Sequence, residues 1–212
     1  DDYSLIDYNR AGIPLIEIVT KPTIRSGAAA AAYLERLRQI FLFTEVSDAK
    51  MEEGSMRCDV NVSIRPYGSE KFGTRTEIKN LNSISNVQKA IEFEVARQEK
   101  VLISGGEVLQ ETRRYDEDSK ETVVMRAKGD AVDYKYYPEP NILPIRLNHQ
   151  WVEGIIERIP EMPESRVARY INEYKIPKTD ALILVQTKEV SDFFDATVAY
   201  TKHYKIASNW LL

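Results

Sequence analysis

A strictly alternating run at residues 57–65 is the feature that most constrains the fold of this chain. Its apolar side chains are Cys58, Val60, Val62 and Ile64. Because successive side chains of a β-strand point to opposite faces, a period of two predicts a half-buried strand. A second alternating run, at residues 74–79, follows a turn at residues 66–68 and predicts a partner strand. We therefore expect a sheet with one face in the core and one charged face.

The charged face of these two strands is expected to carry both signs of charge. Its side chains are Arg57, Asp59 and Asn61 from the first run and Arg75, Glu77 and Lys79 from the second. The pattern leaves two interpretations open. The face is the ordinary solvated side of an antiparallel sheet, or it is the floor of a site for a charged substrate.

Length, composition and charge exclude several classes of protein. The 212 residues suit one large domain or two small ones, and 43% hydrophobic residues are typical of a soluble globular protein. No apolar run approaches the length of a membrane span. The net charge of −4 provides no general basic field, so a bound polyanion would need local basic clusters. The single cysteine, Cys58, cannot form an internal disulfide and is expected to be a small buried hydrophobe.

One carboxylate interrupts the most apolar part of the N-terminal region. Residues 4–8 and 13–19 are expected to form the first strands, and Glu17 lies within the second. A strand that is apolar on both faces is normally buried, and an isolated buried carboxylate is costly. Glu17 is therefore expected to have a partner, which could be a metal ion, a hydrogen-bond donor or a structural arginine, unless it lies at an edge in water.

Periodicity and capping residues predict two helices in the first two-thirds of the chain. The first covers residues 27–43 behind the N-cap Ser26. The second opens at Ser85, with Gln88 completing a capping box, and ends before Gly105. Its expected core face consists of Val87, Ile91, Val95 and Leu102.

The remaining patterns predict a hairpin and a helical C-terminal region. The hairpin strands are expected near residues 107–115 and 122–127, and a proline-bounded segment at residues 133–140 is expected to cross an edge of the sheet. Helical signals recur at residues 149–158, 163–174, 179–187 and 189–202. The predicted fold class is thus α+β, with a mainly antiparallel sheet and packed helices in residues 1–147 and an all-α region in residues 148–212.

Several familiar catalytic devices are missing from the sequence. There is no G-x-G-x-x-G motif, and the glycine spacing at residues 68–74 lacks the lysine of a phosphate loop. The two histidines lie in the helical part and cannot form a zinc cluster or a triad with the single cysteine. Carboxylates remain as candidates: Glu17, Glu52, Glu53, Asp59 and Glu77. Near arginines and lysines they suit Mg²⁺ and phosphoryl transfer, although acidic sheet faces without a metal are also common.

Five long motifs, in order along the chain, closely resemble the B subunit of the aspartyl/glutamyl-tRNA(Asn/Gln) amidotransferases. They are DYNRAGIPLIEIVTKP at residues 7–22, KMEEGSMRCDVNVSIRP at 50–66, KFGTRTEIKNLNS at 71–83, QETRRYDE at 110–117 and DYKYYPEP at 133–140. Two shorter segments, TKEVSDFF at residues 187–194 and SNWL at 208–211, are similar to the helical region of that family. The resemblance covers nearly the whole chain.

The resemblance implies a fold, an activity and partners. The catalytic domain of the family is a cradle similar to glutamine synthetase, so residues 1–147 would be a partial cradle and residues 148–212 the start of a helical domain. In this family the B subunit uses ATP and Mg²⁺ to phosphorylate the side-chain carboxylate of glutamate or aspartate mischarged on tRNA. Ammonia from the glutaminase A subunit then displaces phosphate, and a small C subunit holds these two together. A bacterial cytoplasmic location is implied, with an organelle as the alternative.

The same resemblance implies roles for individual residues. The metal-binding glutamates of the family fall on Glu17 and Glu77. Asp59, Asn61, Arg57 and Lys79 are expected to act in catalysis, and Arg75, Glu52 and Glu53 to bind the nucleotide. For Asp59, Asn61, Glu52 and Glu53 the alternative is hydrogen bonding that orients the metal ligands. For Arg57, Arg75 and Lys79 it is a salt bridge with neighbouring acids.

The sequence departs from the family pattern in one important respect. A Gly-Leu-Glu-Val-His segment, which supplies the first metal motif of the family, does not occur in these 212 residues, and neither does a later Glu-Glu-Asp segment. We therefore expect an incomplete site and no activity from this fragment alone. Two other classes remain as alternatives, a non-catalytic tRNA-binding or scaffolding module and a generic Mg²⁺-dependent nucleotidyl or nuclease enzyme.

Overall fold

A small four-stranded sheet and seven helices make up the part of the chain that the structure describes. The computed structural model describes residues 3–9, 11–127, 138 and 140–212. The first elements are α1 (Gly27–Thr44), β1 (Val60–Val62), β2 (Thr76–Lys79), α2 (Ile84–Ile103), β3 (Glu111–Asp116) and β4 (Glu121–Ala127). The helices α3 (His149–Ile156), α4 (Pro163–Asn172), α5 (Lys178–Leu184), α6 (Lys188–Val198) and α7 (Tyr204–Leu211) follow. The α+β class is confirmed, whereas the cradle and the boundary at residue 147 stay predictions.

The sheet is mixed, with its strands in sequence order. β1 pairs with β2 and β3 pairs with β4 in antiparallel fashion, but β2 and β3 are parallel. The parallel pair follows from connectivity, because α2 lies between β2 and β3 and returns the chain to the same end of the sheet. The crossover brings the motif at residues 110–117 directly beside the motif at residues 71–83.

The main core lies between the sheet and helix α2, with α1 packed on α2. Of the strand predicted at residues 57–65, only Val60–Val62 form β1. The alternation holds over residues 57–62, since Val62 is buried and Cys58 and Val60 are half-buried, while Arg57, Asp59 and Asn61 are exposed. The core side chains of the sheet meet those of the two helices in one cluster: Ala30, Leu34, Val62, Ile78, Val87, Ala90, Ile91 and Tyr115. This packing fixes which face of the sheet remains open.

A second core holds the C-terminal helices together. Tyr170 and Phe194 are fully buried there, with ring centroids 4.8 Å apart in an edge-to-face arrangement. Phe43, from the last turn of α1, is also fully buried in this cluster. The C-terminal helices are therefore anchored to the first helix of the chain.

Most of the predicted local elements are confirmed. Ser26 caps α1 by accepting a hydrogen bond from the backbone N–H of Ala29 over 3.1 Å. The predicted hairpin corresponds to β3 and β4, and the predicted helical signals correspond to α3 to α6. In the described residues, no helix is long and apolar enough to cross a membrane. The expected edge crossing at residues 133–140 lies outside the described residues, apart from Pro138 and Pro140.

The two N-terminal strands are the clearest wrong prediction. Residues 4–8 and 13–19 form no strand, and their large apolar side chains are exposed, for example Leu5 at 93% and Leu15 at 90%. A strand needs a hydrogen-bonded neighbour, and none of the described strands pairs with either segment. The periodicity of a segment does not show whether another strand lies beside it.

Helix α2 begins earlier than predicted, and its buried face is only half as predicted. Val87 and Ile91 are buried in the core, which confirms that part of the prediction. Its N-cap is Ser83, whose hydroxyl accepts from the backbone N–H of Asn86, so the proposed Ser85 capping box is wrong. Val95 and Leu102 are 39% and 45% exposed, so their assignment to the core is also wrong. The polar residues Glu94 and Gln98 occupy the rest of the buried face.

Candidate active site

Glu77 lies at the centre of the open face of the sheet. Antiparallel pairing places Asn61 of β1 directly opposite Glu77 of β2, and parallel pairing places Thr112 of β3 on its other side. The Thr112 hydroxyl donates a hydrogen bond to Oε2 of Glu77 over 2.8 Å. The Glu77 side chain is 17% exposed, so the carboxylate is largely sheltered and still reachable from solvent.

Lys79 lies between two carboxylates on the same face. Its Nζ donates to Oδ2 of Asp59 over 2.9 Å and lies 3.9 Å from Oε1 of Glu77. The sheet therefore brings together four residues predicted from the sequence: Asp59, Asn61, Glu77 and Lys79. The salt bridge that the sequence left open as the alternative for Lys79 is present.

Arg57 and Arg75, which the alternation of the sequence places on this face, are both exposed to solvent. Arg57 precedes β1 and Arg75 precedes β2. Their positions at the strand entrances leave two positive charges at the rim of the face. The predicted contacts of these guanidiniums with substrate and nucleotide stay predictions.

Glu52 and Glu53 lie apart from the strands, in the turn that precedes β1. Both are exposed, and Glu53 pairs with Nζ of Lys50 over 2.8 Å. The hydrogen bond from Lys50 to Glu53 raises the pKa of Lys50. These two acids are thus surface groups of the turn, and their predicted contact with a nucleotide stays a prediction.

Glu17 lies in the exposed N-terminal segment rather than in a buried strand. Its side chain is exposed, so the argument that burial obliges it to have a partner is wrong for this structure. Its assignment as a metal ligand, which came from the resemblance, stays a prediction.

The described residues do not by themselves assemble a metal site. A structural or catalytic Mg²⁺ is normally held by carboxylates together with water and phosphate oxygens. No group of three or more His, Cys, Asp or Glu side chains with suitable geometry occurs among the residues that the structure covers. Glu77 and Asp59 supply oxygen atoms of the right chemical type, but Lys79 lies between them.

Sequence reasoning missed a buried polar network on the opposite face of the sheet. Glu94 of α2 is fully buried and accepts two hydrogen bonds from Arg97, at 2.9 and 2.7 Å, and one each from Gln98 and Thr122, both at 2.9 Å. Burial raises the pKa of the Glu94 carboxyl, but the donors, led by Arg97 and Gln98, outweigh it and leave the pKa below its usual value. Glu94 is therefore held as a carboxylate.

Gln98 connects this network to strand β1. Its Nε2 donates to the carbonyl of Val62 over 3.1 Å, and its Oε1 accepts from the backbone N–H of Ile64 over 3.2 Å. β1 is an edge strand, so the side-chain amide satisfies backbone groups that have no neighbouring strand in the described sheet. The strand that carries Asn61, and that Asp59 directly precedes, is thereby fixed to α2.

Arg113 fixes strand β3 in a similar way. Its guanidinium donates to the hydroxyl and the carbonyl of Thr122 over 2.8 and 2.6 Å, and to Glu111 over 2.6 Å. Arg113 is 8% exposed and lies 3.6 Å from Glu94. The sequence signal for this network was the spacing of Glu94 and Gln98, which are in phase with Val87 and Ile91 on one helix face.

A second charged cluster, among the C-terminal helices, is fully engaged in packing. Arg166 is 6% exposed and donates to Ser191 and Asp192, both over 2.6 Å. Burial disfavours the charge of Arg166, yet the Asp192 carboxylate outweighs burial and raises its pKa. Its guanidinium also lies 5.2 Å from the centre of the Phe43 ring. We interpret this cluster as structural, because it joins α4 and α6 to the end of α1.

Comparison with known proteins identifies the family of the chain. The profile of the GatB/GatE catalytic domain matches residues 1–153. Similar relatives include the B subunits of the aspartyl/glutamyl-tRNA(Asn/Gln) amidotransferases of Ligilactobacillus salivarius, 58% identical, and Bacillus cytotoxicus, 55% identical. The corresponding protein of Staphylococcus saprophyticus is 54% identical.

These matches cover the whole of this chain and less than half of each relative. All three alignments span 212 residues and 100% of the chain, but 44% to 45% of the relative. The matched residues include both strands that carry the charged face. The chain therefore belongs to the GatB/GatE catalytic domain family.

Proposed function

We propose that the full-length protein containing this chain converts glutamate or aspartate, mischarged on tRNA, into the corresponding amide. The observation that carries the proposal is the family match, together with relatives named as B subunits of aspartyl/glutamyl-tRNA(Asn/Gln) amidotransferases at 53% to 58% identity. The charged face formed by β1 and β2 is the candidate place for this chemistry within the chain.

The chemistry of amide formation explains why such a face is useful. A carboxylate does not react readily with ammonia, because the leaving group would be an oxide ion. Phosphorylation of the carboxylate supplies a good leaving group, and positive groups must then offset the charge of nucleotide and acyl phosphate. We assign ATP as the phosphoryl donor, and Mg²⁺ would supply the charge neutralisation on the phosphates when bound.

The proposed roles of the residues follow from their positions. Glu77 would offer carboxylate oxygens to the ion, and Glu17 would contribute from the N-terminal segment. Lys79, held by Asp59, places a positive charge beside Glu77 at 3.9 Å and would contact phosphate oxygens.

The residues around this centre have supporting roles in the proposal. Arg57 would act with Asp59 and Asn61 on the substrate. Arg75 would bind the nucleotide, and Glu52 and Glu53 would assist it from the preceding turn. The described residues do not complete a metal site, so further ligands must join these in the working enzyme.

The proposal also includes partners and a location. Ammonia would come from a glutaminase A subunit, and a small C subunit would brace the complex. The relatives' names mention two tRNAs, and both aminoacyl groups would use one site. We propose the bacterial cytoplasm as the location.

The test uses the full-length protein assembled with its partner subunits. We expect Glu77→Gln and Glu17→Gln each to reduce amide formation and ATP consumption on the order of a hundredfold, because a neutral amide is a poor ligand for a hard cation. Glutaminase activity serves as the internal control, and Glu99→Gln, an exposed acid on α2, is the matched variant.

The possible results separate the candidate functions. Normal amide formation by Glu77→Gln would remove that residue from the site. ATP consumption that does not depend on misacylated tRNA would contradict the proposed reaction. A scaffolding module would be supported if the unmodified complex formed no amide and if Glu17→Gln and Glu77→Gln left tRNA binding unchanged. Phosphoryl chemistry without the glutaminase partner would indicate a generic Mg²⁺-dependent enzyme.

A further inference from the structure

Thr112 is a buried residue whose hydroxyl bonds directly to the candidate site. It is 1% exposed, and its Oγ1 donates to Oε2 of Glu77 over 2.8 Å. The terminal torsion of a glutamate side chain is soft, so an unrestrained carboxylate samples many orientations. A hydroxyl that donates to one oxygen of a carboxylate restricts this rotation.

The sheet and the buried network hold Thr112 in place. The parallel register of β2 and β3 sets Thr112 opposite Glu77. The separate ladder between β3 and β4 shifts its register between Thr112 and Arg113. Arg113 is clamped on the buried face by three hydrogen bonds to Thr122 and Glu111. The backbone of Thr112 therefore cannot turn away without breaking this clamp.

A positive group lies on the other side of the same carboxylate. Nζ of Lys79 lies 3.9 Å from Oε1 of Glu77 and is itself bonded to Asp59. Thr112 contacts Oε2, whereas Lys79 faces Oε1. The two contacts are thus made to different oxygens of the Glu77 carboxylate.

We propose that Thr112 is the positioning residue for Glu77. Its hydroxyl holds Oε2 from the neighbouring strand, so that the carboxylate presents a constant set of oxygens to whatever binds there. The inference rests on the proposed function for its catalytic consequence, in which Glu77 contacts the bound ion. The contact between Thr112 and Glu77 does not depend on that function and is tested separately.

The experiment compares three variants in the full-length complex. Thr112→Val keeps the shape and removes the hydroxyl, and Thr112→Ser keeps the hydroxyl. Thr76→Val is the matched control, because Thr76 is also buried, at 0% exposed, on the neighbouring strand. Its hydroxyl accepts from Gln98 over 3.3 Å on the opposite face of the sheet. The hydrogen bonds of Gln98 to the backbone of Val62 and Ile64 do not involve Thr76.

The rate of amide formation is expected to depend on whether the side chain at position 112 carries a hydroxyl. A hydrogen bond to a charged group is worth roughly tenfold or more, so Thr112→Val should lower kcat for amide formation by about that factor. Thr112→Ser should restore most of the rate, and Thr76→Val should keep the normal rate per folded molecule. In a Glu77→Gln background, Thr112→Val should add no further loss, because its effect acts through Glu77.

A crystal structure of Thr112→Val is the second measurement, and it does not depend on activity. The Glu77 carboxylate is expected to leave its position beside residue 112. An unmoved carboxylate would overturn the inference, and so would equal rate losses in Thr112→Val and Thr76→Val or a failure of Thr112→Ser to restore activity. If Glu77→Gln itself were fully active, the proposed function of Glu77 would fail, and the crystal structure would still decide whether Thr112 positions it.

Discussion

Replacement of Glu94 by glutamine is expected to lower the stability of the fold strongly. The carboxylate is fully buried and is the acceptor for Arg97, Gln98 and Thr122. Removing one partner of a buried ion pair costs about 3–5 kcal/mol, because the other charge is left without compensation. Glutamine keeps the shape and one acceptor oxygen, and the Arg97 side chain is 21% exposed and can regain some water. We therefore expect a loss of about 3 kcal/mol in the free energy of unfolding.

Thermal and urea unfolding of the full-length protein measure this loss. A change of about 3 kcal/mol corresponds to a decrease in Tm of roughly 6–12 °C for a domain of this size. Glu99→Gln on the same helix is the control, since an exposed acid is expected to change stability by less than about 0.5 kcal/mol. Equal Tm values for Glu94→Gln and Glu99→Gln would refute the reasoning, because they would mean that the buried network adds no stability.

The pH dependence of the stability difference between the unmodified protein and Glu94→Gln gives an independent test. The network lowers the pKa of Glu94 below its usual value of 4.5 in the folded state. A lowered carboxyl pKa stabilises the fold fully above the usual pKa, and this stability is lost as the pH falls through the lower folded pKa. The stability difference between the unmodified protein and Glu94→Gln should thus be constant at neutral pH and decrease below pH 4.5.

Two further predictions concern the strand that carries the site and the turn after it. Burial and, secondarily, the charge of Asp59 raise the pKa of Cys58 to about 11 from 9.0. We expect its alkylation by iodoacetamide at neutral pH to be roughly a hundredfold slower in the folded protein than in urea, and similar rates would contradict burial of the thiol. In the turn, a Cβ on Gly73 would lie 2.1 Å from the carbonyl oxygen of Ile64, so Gly73→Ala should cost about 2 kcal/mol by thermal unfolding. Gly154→Ala in helix α3 is the control, because a Cβ there would meet no described atom within 4 Å beyond its chain neighbours and the adjacent helix backbone. A loss in both variants would contradict the steric explanation.

Local sequence patterns predicted well those elements whose structure depends on residues close by in the chain. The alternation at residues 57–65 predicted the buried and exposed faces of β1, and Ser26 predicted the start of α1. In both cases the physical cause acts within a few residues, as side chains alternate or a hydroxyl caps an N–H. The alternation within each run likewise placed Asp59 and Lys79 on the polar sides of their runs. Their contact also needed the two strands to pair, over a sequence separation of 20 residues.

Elements that depend on distant partners were not predictable in this way. The segment at residues 13–19 has the composition of a buried strand, yet it forms none, because pairing requires another strand beside it. The contact of Thr112 with Glu77 depends on the parallel pairing created by the crossover helix, over a sequence separation of 35 residues. No periodicity in either motif encodes that register.

The buried face of α2 shows a different limit of sequence reasoning. Hydrophobicity placed Val95 and Leu102 in the core, whereas Glu94 and Gln98 occupy it. A buried carboxylate is costly in general, but here four hydrogen bonds satisfy it. One of the donors, Thr122, comes from strand β4, so the compensation could not be seen in the helix sequence alone.

This polar core has a physical consequence for the site above it. Hydrophobic contacts are not directional, so an apolar core would allow small shifts of β1 and β3 at little cost. Hydrogen bonds require specific distances and angles, and Gln98 and Arg113 apply them to the strands that carry Asn61 and Thr112. A network on the closed face of the sheet thus fixes the positions of charges on the open face. We infer that substitutions at Gln98 or Arg113 change the geometry around Glu77 although neither side chain lies on the open face.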